Sequence, residues 1–360
     1  MPTSLLICDD STMARKQVAR SLPDGWDVDV TFATNGVEAI AAIKSGKGDI
    51  LLLDLNMPKM DGYQVLETIL KQDLPTLTIV ISGDIQPEAH QRVKGLGALD
   101  FIKKPVDKSK LTEVLSAFGV FSKEDLIIAE NEAAKLINQS TGPIKSASVI
   151  KPAVAAAQQS IIKIDSEMID CYKEITNVAM GQAGDLLARL LDVVVVLPIP
   201  NVNLIEVSEL TMALSDVENK DETSGICQGF IGAGISGEAL LILNDSSFKD
   251  IASLMKYEQK FDNNVELELL MDMANVLIGA CLTGIAEQLD MSFSQGHPVV
   301  LGQHRKISEL IAINTNKWKK TLAIEISYSI ENYPIKFDLL LLFTEQSLAV
   351  LNHKIAYLLD

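Results

Sequence analysis

Cysteine is scarce. The four cysteines in 360 residues, at positions 8, 171, 227 and 281, form no CxxC pair and no cluster with histidine. That excludes a zinc site and a disulfide framework and leaves buried, reduced thiols. The four histidines, at 90, 297, 304 and 353, are equally scattered, so none is expected to act on a metal or in catalysis. An excess of basic charge is also missing: the net charge is −17. Residues 1–121 carry 13 basic and 16 acidic side chains, and the remainder carries 18 and 32. A surface this acidic repels phosphate backbones and anionic headgroups, which argues against nucleic acid and membrane surfaces as partners. Long apolar runs are absent as well. "LLDVVVVLPI" and "DLLLLF" are too short to span a bilayer and read as buried strands. The opening "MPTSLLICDDSTMARK" has acids directly after a short apolar run and no basic stretch before it, unlike a signal peptide. The expectation is a soluble, cytoplasmic protein without membrane insertion.

What is present is a globular composition, 48% hydrophobic and 22% charged, on a chain long enough for two or three domains. Residues 1–121 alternate apolar runs with amphipathic stretches. The strands read as "SLLICDD", "DVDVTFA", "DILLLDL", "TLTIVIS" and "ALDFIKKP", each followed by a helix. Five β–α units in a row predict a doubly wound five-stranded parallel sheet that binds ligands at its carboxyl edge. Residues 122–164 read as a partly helical linker, with Ser122 as N-cap and a Gly-Pro stop at 142–143. Such a linker can pack on a neighbouring domain or pair with a copy of itself, giving a homodimer. Residues 165–360 read as one α/β domain. Helices are expected over about 166–191, 246–257 and 264–289. Strands are expected at 193–197, near 204–214, at 226–234 and in "EALLILN", and three more, "SELIAINTN", "KTLAIEISYSI" and "KFDLLLLF", close the chain.

The C-terminal region repeats itself. Glu174 and Asn177 recur as Asp272 and Asn275, 98 positions on, and Val178, Gly181, Ala188, Leu191, Asp192 and Pro200 recur as Val276, Gly279, Ala286, Leu289, Asp290 and Pro298. An acid and an asparagine three apart share one helix face. About two such pairs are expected by chance from this composition, and there are three, Asp216 and Asn219 being the other. The context sets two apart: each has an acid four residues before the first acid (Asp170, Glu268) and a proline 23 residues after the asparagine. The repeated glycines and alanines suit close helix contact within the duplication, and the prolines suit strand ends. An acid and an amide have no packing reason to recur, which points to two similar sites.

In the N-terminal region Asp9 and Asp10 end the first strand, Asp54 the third, Ser82 the fourth and Lys104 the fifth. The sheet topology gathers them on one edge. Three carboxylates in one crevice repel one another unless a cation neutralises them, and hard oxygen ligands suit Mg²⁺. A hydroxyl and a lysine beside them can hold phosphoryl oxygens, and a carboxylate can accept the group. These residues, with "LLLDLNMPKMDG" and "KKP", closely resemble the response-regulator receiver family over 1–121. The resemblance implies Asp54 as phosphoacceptor. It implies Mg²⁺ held by Asp10 and Asp54 with Asp9 and the Asn56 carbonyl, Ser82 and Phe101 as switch residues, and a histidine kinase as phosphodonor. Asn56 and Asp84 stand where the family tunes autodephosphorylation.

The pattern D-x3-E-x2-N-x22-P resembles the signature of the CheC/CheX/FliY phosphatases, which dephosphorylate chemotaxis response regulators. The first copy fits throughout; the second has Glu268 and Asp272 in place of the usual residues, and Asp272 is shorter than Glu by a methylene, roughly 1.5 Å. The resemblance implies that Glu174 contacts the substrate's active-site lysine while Asn177 orients the attacking water, with Asp272 and Asn275 as a second such pair. The chemistry is coherent: a neutral amide holds a water in line with phosphorus without repelling the phosphoryl group. The expectation is a response regulator whose output domain removes phosphate from a separate CheY-type receiver under control of Asp54. Two alternatives stand beside it: a phosphatase acting on its own receiver, and a non-catalytic adaptor that binds a phosphorylated receiver or chemotaxis protein.

Overall fold

The computed structural model describes residues 2–121, 164–206, 222–257, 262–305 and 320–359. The expected linker at 122–164 lies almost wholly outside them, as do the expected strand "SELIAINTN", the Asp216–Asn219 pair and residues 207–214 of another expected strand.

The N-terminal sheet is built from β1 (Thr3–Cys8), β2 (Val28–Ala33), β3 (Ile50–Leu53), β4 (Leu77–Ser82) and β5 (Asp100–Lys103), in the order β2-β1-β3-β4-β5 and parallel throughout. Helices α1 (Thr12–Arg20), α2 (Gly36–Lys44), α3 (Gly62–Gln72), α4 (Pro87–Gly95) and α5 (Lys108–Ala117) follow the strands. β1 and β3 are apolar without alternation because both sheet faces are covered: Leu6, Cys8, Leu51 and Leu53 enter one core, and Leu5, Ile7, Ile50 and Leu52 the other. Helix starts carry side-chain caps: Ser11 accepts from the Ala14 N–H, Asn35 from Glu38, and Asp107 from Lys110. Asp61 forms a reciprocal capping box with Gln64. Each such cap is worth about 1 kcal/mol. The strand order reverses beside β1 and β3, which opens a crevice at their carboxyl ends.

The C-terminal region folds as two matching runs. The first is α6 (Ser166–Leu191), β6 (Val195–Val196), β7 (Asn201–Glu206), β8 (Thr223–Gly232), β9 (Ile235–Asn244) and α7 (Phe248–Leu254). The second is α8 (Asn263–Gln288), β10 (Ser294–Gln295), β11 (Val299–Arg305), β12 (Lys320–Ile330), β13 (Lys336–Thr344) and α9 (Glu345–Leu359). Their strands form one sheet, β10-β8-β9-β13-β12-β6, with β11 on β8 and β7 on β12. The runs exchange strands: β6 and β7 of the first pair with β12 of the second, and β10 and β11 of the second pair with β8 of the first. Period-two patterning directs the faces. Phe337, Leu339, Leu341 and Phe343 of β13 point into the core under α6 and α8, while Leu340 and Leu342 join a smaller cluster on the opposite face.

Three expectations are corrected. The chain closes on a helix, α9, after β13; Leu348, Leu351 and Ile355 bury its inner face. Pro200 and Pro298 do not end strands but stand directly before β7 and β11, where a missing N–H costs nothing. Gly181 and Gly279 do not make the contact between the two long helices. Gly284 does: a methyl there would lie 2.8 Å from Ala179 Cα. Helix α8 is long and apolar enough to cross a membrane by length and composition, and 61% of its apolar window is buried inside the protein. The four cysteines are free and buried.

Candidate functional site

The carboxyl ends of β1, β3, β4 and β5 place Asp9, Asp54, Ser82 and Lys104 together, all buried, with Asp10 half-buried beside them. Lys104 Nζ lies 2.7 Å from Asp9 Oδ2 and 3.4 Å from Asp54 Oδ1. A third carboxylate reaches the same ammonium from the C-terminal region: Glu174 Oε1 of α6, at 3.1 Å. Glu174 is 5% exposed and Asn177, one turn on, is 7% exposed. The two residues predicted to act on a receiver therefore sit on the carboxyl edge of the chain's own N-terminal sheet. The Asn177 side-chain oxygen is buried and accepts no hydrogen bond from the described residues.

Helix α6 is mounted along its length. At its N-terminal end Asp170 Oδ2 accepts from Ser11 Oγ at 3.3 Å and from the Met13 N–H at 3.0 Å. It thereby satisfies a free amide of the first turn of α1 and faces that helix's positive end. Lys16 and Glu167 pair nearby at 2.6 Å. Met13 itself is buried in the C-terminal core. In the middle, Gly181 meets the β4–α4 turn so closely that a methyl on it would lie 1.9 Å from the Gly83 carbonyl oxygen. Past the end of α6, the Gln86 amide pairs with the backbone of Val195.

One ammonium faces four carboxylates, and the ionisation follows from that. Burial alone would lower the Lys104 pKa, but Asp54, Asp9 and Glu174 outweigh it and hold the lysine well above its usual value. The Asp54 carboxyl is pushed up, chiefly by burial, against the pull of Lys104. Glu174 moves the same way for the same reason. Burial and Asp9 raise Asp10 to about 6. A lysine that stays charged beside carboxylates that resist charging describes a pocket short of positive charge. Asp9, Asp10 and Asp54 bring one oxygen each to within 4.8 Å of one another. Both Asp54 oxygens are buried without a hydrogen bond. This donor set fits Mg²⁺. Asn56 is half-buried on the flank and lines a cleft of ≈ 570 Å³ between α4, the β3–α3 loop and β6.

Ser82 is fully buried, and its Oγ accepts from the Asp84 N–H at 3.1 Å. Phe101 is half-buried, its ring edge-on to His90 at 5.4 Å. Lys104 and Pro105 are joined by a cis peptide. The second pair stands apart from all of this. On α8, Asp272 is half-buried and Asn275 is exposed, and a methyl on Gly279 would meet only Gln295 Oε1, 4.0 Å away. Burial and Glu268 raise the Asp272 pKa. Sequence reasoning missed Gln86, Gly83 and the capping role of Asp170. Asp170 had a signal, its place in the repeated pattern; Gln86 and Gly83 had none.

The family profile described as "Response regulator receiver domain" matches residues 5–116. Chemotaxis protein CheY of Treponema pallidum is 34% identical over 119 residues, 32% of this chain and 82% of that protein. Protein-glutamate methylesterase/protein-glutamine glutaminase 3 of Geobacter sulfurreducens is 37% identical over 113 residues, 31% of this chain and 30% of that protein. The match thus spans less than a third of the length of that methylesterase and of its Rhodospirillum rubrum counterpart. Among solved structures, Thermotoga maritima FliY aligns with a TM-score of 0.41 at 19% identity, over 54% of this chain and 99% of that one.

Proposed function

Through its N-terminal region the chain belongs to the response-regulator receiver family, and on that premise we propose that its C-terminal region hydrolyses the aspartyl phosphate of its own receiver. The division is a receiver at 1–121, a linker at 122–164 and a phosphatase domain at 165–360. Asp54, phosphorylated by a histidine kinase, is then both switch and substrate. The observation that carries this reading is the contact of Glu174 with Lys104 at 3.1 Å, in a pocket that also holds Asp54. The sequence alone put a separate receiver first; the position of Glu174 and Asn177 favours the self-directed alternative for this pair.

The chemistry follows from the residues present. A water oxygen attacks phosphorus, the bond from phosphorus to the Asp54 oxygen breaks, and the Asp54 carboxylate is restored as inorganic phosphate leaves with the water's protons. Asn177 offers its free amide oxygen to a hydrogen of that water and sets the in-line approach. Glu174 joins Asp9 in holding Lys104, so the ammonium stays 3.4 Å from Asp54, where it can pair with phosphoryl oxygens. Asp9, Asp10, Asp54 and the Asn56 carbonyl would hold Mg²⁺, which would supply neutralisation of charge on the phosphoryl oxygens when bound. Most of the rate enhancement in this scheme is positioning and electrostatics, with no covalent step on the phosphatase side.

A second substrate is favoured by one further observation: the Asp272–Asn275 face of α8 repeats the pattern of α6, with Asp272 half-buried and Asn275 exposed. We assign it to a separate phosphorylated CheY-type receiver, which would place the protein in chemotaxis signalling. The test is the lifetime of Asp54 phosphate in the full chain after loading with acetyl phosphate, over a range of protein concentrations. A self-directed site gives a concentration-independent decay that Asn177→Ala slows; added receiver phosphate decays through Asn275. Unchanged decay in Asn177→Ala, with the domains still in contact, supports the adaptor instead.

A further inference from the structure

Gln86 holds the N-cap position of α4 but makes no capping bond. Its side chain is 1% exposed and turns away from the helix. Oε1 accepts from the Val195 N–H at 2.9 Å, and Nε2 donates to the Val195 carbonyl at 2.7 Å and to Asp84 Oδ1 at 3.0 Å. Both donors of the amide and its acceptor are engaged. β6, which carries Val195, is the last strand of its sheet and pairs with β12 through two residues only. Among the described residues its outer edge therefore leaves a backbone N–H and C=O without a strand partner, and the side-chain amide of Gln86 occupies the place of a peptide group on a further strand.

We propose that Gln86 is the positioning and specificity-determining residue for receiver docking: it reads the open edge of β6 and, with Asp170, sets where Glu174 and Asn177 fall on Asp54 and Lys104. The inference rests on the reading that the Glu174–Asn177 face acts on this receiver. Geometry gives the two anchors their leverage. Asp170 fixes α6 to the start of α1 at one end; Gln86 fixes Val195, four residues beyond the last turn of α6, at the other. Glu174, Asn177 and Gly181 lie between them.

The chemistry of the amide selects glutamine. Glutamate would face the Val195 carbonyl and Asp84 with acceptors where both need donors. Asparagine falls short by a methylene, roughly 1.5 Å. An apolar residue leaves two backbone groups of Val195 buried and unpaired, which costs more than a hydrogen bond gains. A receiver with another residue at this position would present the same phosphorylation edge and still seat poorly on α6. Gln86 thus separates this chain's receiver from other receivers at the first site.

The test uses the full chain with Gln86→Glu and with Gln86→Met, which keeps the volume and removes the amide. The first readout is hydrogen exchange of the Val195 amide and of the β4–α4 turn in the unphosphorylated protein. The second is the lifetime of Asp54 phosphate after loading with acetyl phosphate, alone and on an Asn177→Ala background. Losing two hydrogen bonds across the contact is expected to lengthen the lifetime about thirtyfold. Loading should stay complete, Val195 exchange should quicken, and the Gln86 changes should add nothing once Asn177 is alanine. Unchanged exchange at Val195 in both variants would overturn the proposal, as would a lifetime effect that adds fully to that of Asn177→Ala. If Asn177→Ala itself leaves the lifetime unchanged, the phosphatase reading fails, and the exchange result still decides the role of Gln86.

Discussion

The Glu174 carboxylate stands 3.1 Å from the Lys104 ammonium, with both side chains buried, although 70 positions separate them in the chain. Lys104 already has Asp9 at 2.7 Å and Asp54 at 3.4 Å, so Glu174 is not needed to neutralise it. An additional buried acid in a carboxylate-rich crevice costs stability unless it has another use. Holding the ammonium in register with Asp54 is such a use. Asp54 is 1% exposed in the pocket that Glu174 enters, and a phosphodonor is expected to reach it faster when α6 lifts away.

Gly181→Ala separates docking from folding. The new methyl would lie 1.9 Å from the Gly83 carbonyl oxygen, a backbone atom that cannot turn aside. Overpacking of this kind costs about 1–3 kcal/mol, here charged to the contact between the two regions. Acetyl phosphate should load Asp54 faster, and the phosphate should persist longer, as read by intact mass. Gly279→Ala, with nothing nearer than 4.0 Å, should change neither. Equal rates in the two variants would contradict the docked arrangement.

Mg²⁺ should stabilise the chain. Four carboxylates face one lysine, and a ligand that binds only the folded site adds about 2.7 kcal/mol at a hundred times its Kd. Thermal unfolding should shift upward by several degrees with millimolar Mg²⁺ and return with a chelator. Asp10→Asn should abolish the shift. An unfolding temperature indifferent to Mg²⁺ would remove the ion from the account.

The N-terminal sheet and its site were legible because each strand ends in a chemically distinct residue, and β–α alternation brings those ends to one edge. The long helices and the pairs Glu174–Asn177 and Asp272–Asn275 were legible through the repeat. What the repeat could not show is that its two halves live in different surroundings. Asn177 is buried beside the β4–α4 turn and Asn275 is exposed, a difference made by a partner surface more than 80 positions away in sequence. Gln86 was hidden for a related reason: its partners across the contact are the backbone groups of Val195, which carry no sequence signal. The strand exchange that places β7 on β12 and β11 on β8 is also silent, because either run could satisfy its own edges by local pairing. α9 was not read from the sequence, although Leu348, Leu351 and Ile355 stand at helical spacing on its buried face.

His304 makes the second run sensitive to pH. Its Nδ1 lies 2.7 Å from Asp245 and its Nε2 3.3 Å from Glu266, joining β11 to the turn before α7 and to the first turn of α8. The hydrogen bond to Asp245 raises its pKa. A histidine raised above its unfolded value of about 6.5 stabilises the fold fully below that pH and ceases to do so as pH rises through the folded value. The difference in unfolding temperature between the native chain and His304→Asn should be largest near pH 6 and shrink by pH 8.5. A difference constant across that range would show that the imidazolium is not what holds the clasp.

The central claim is that α6 acts on the aspartyl phosphate it covers. The most direct measurement is single-turnover loss of Asp54 phosphate from the full chain, native and Asn177→Ala, after removal of acetyl phosphate. The account predicts a decay independent of protein concentration and slowed about a hundredfold by the substitution, the scale expected when a positioned reactant is released. Equal decay in the two proteins, with Glu174 still seated on Lys104, would contradict it.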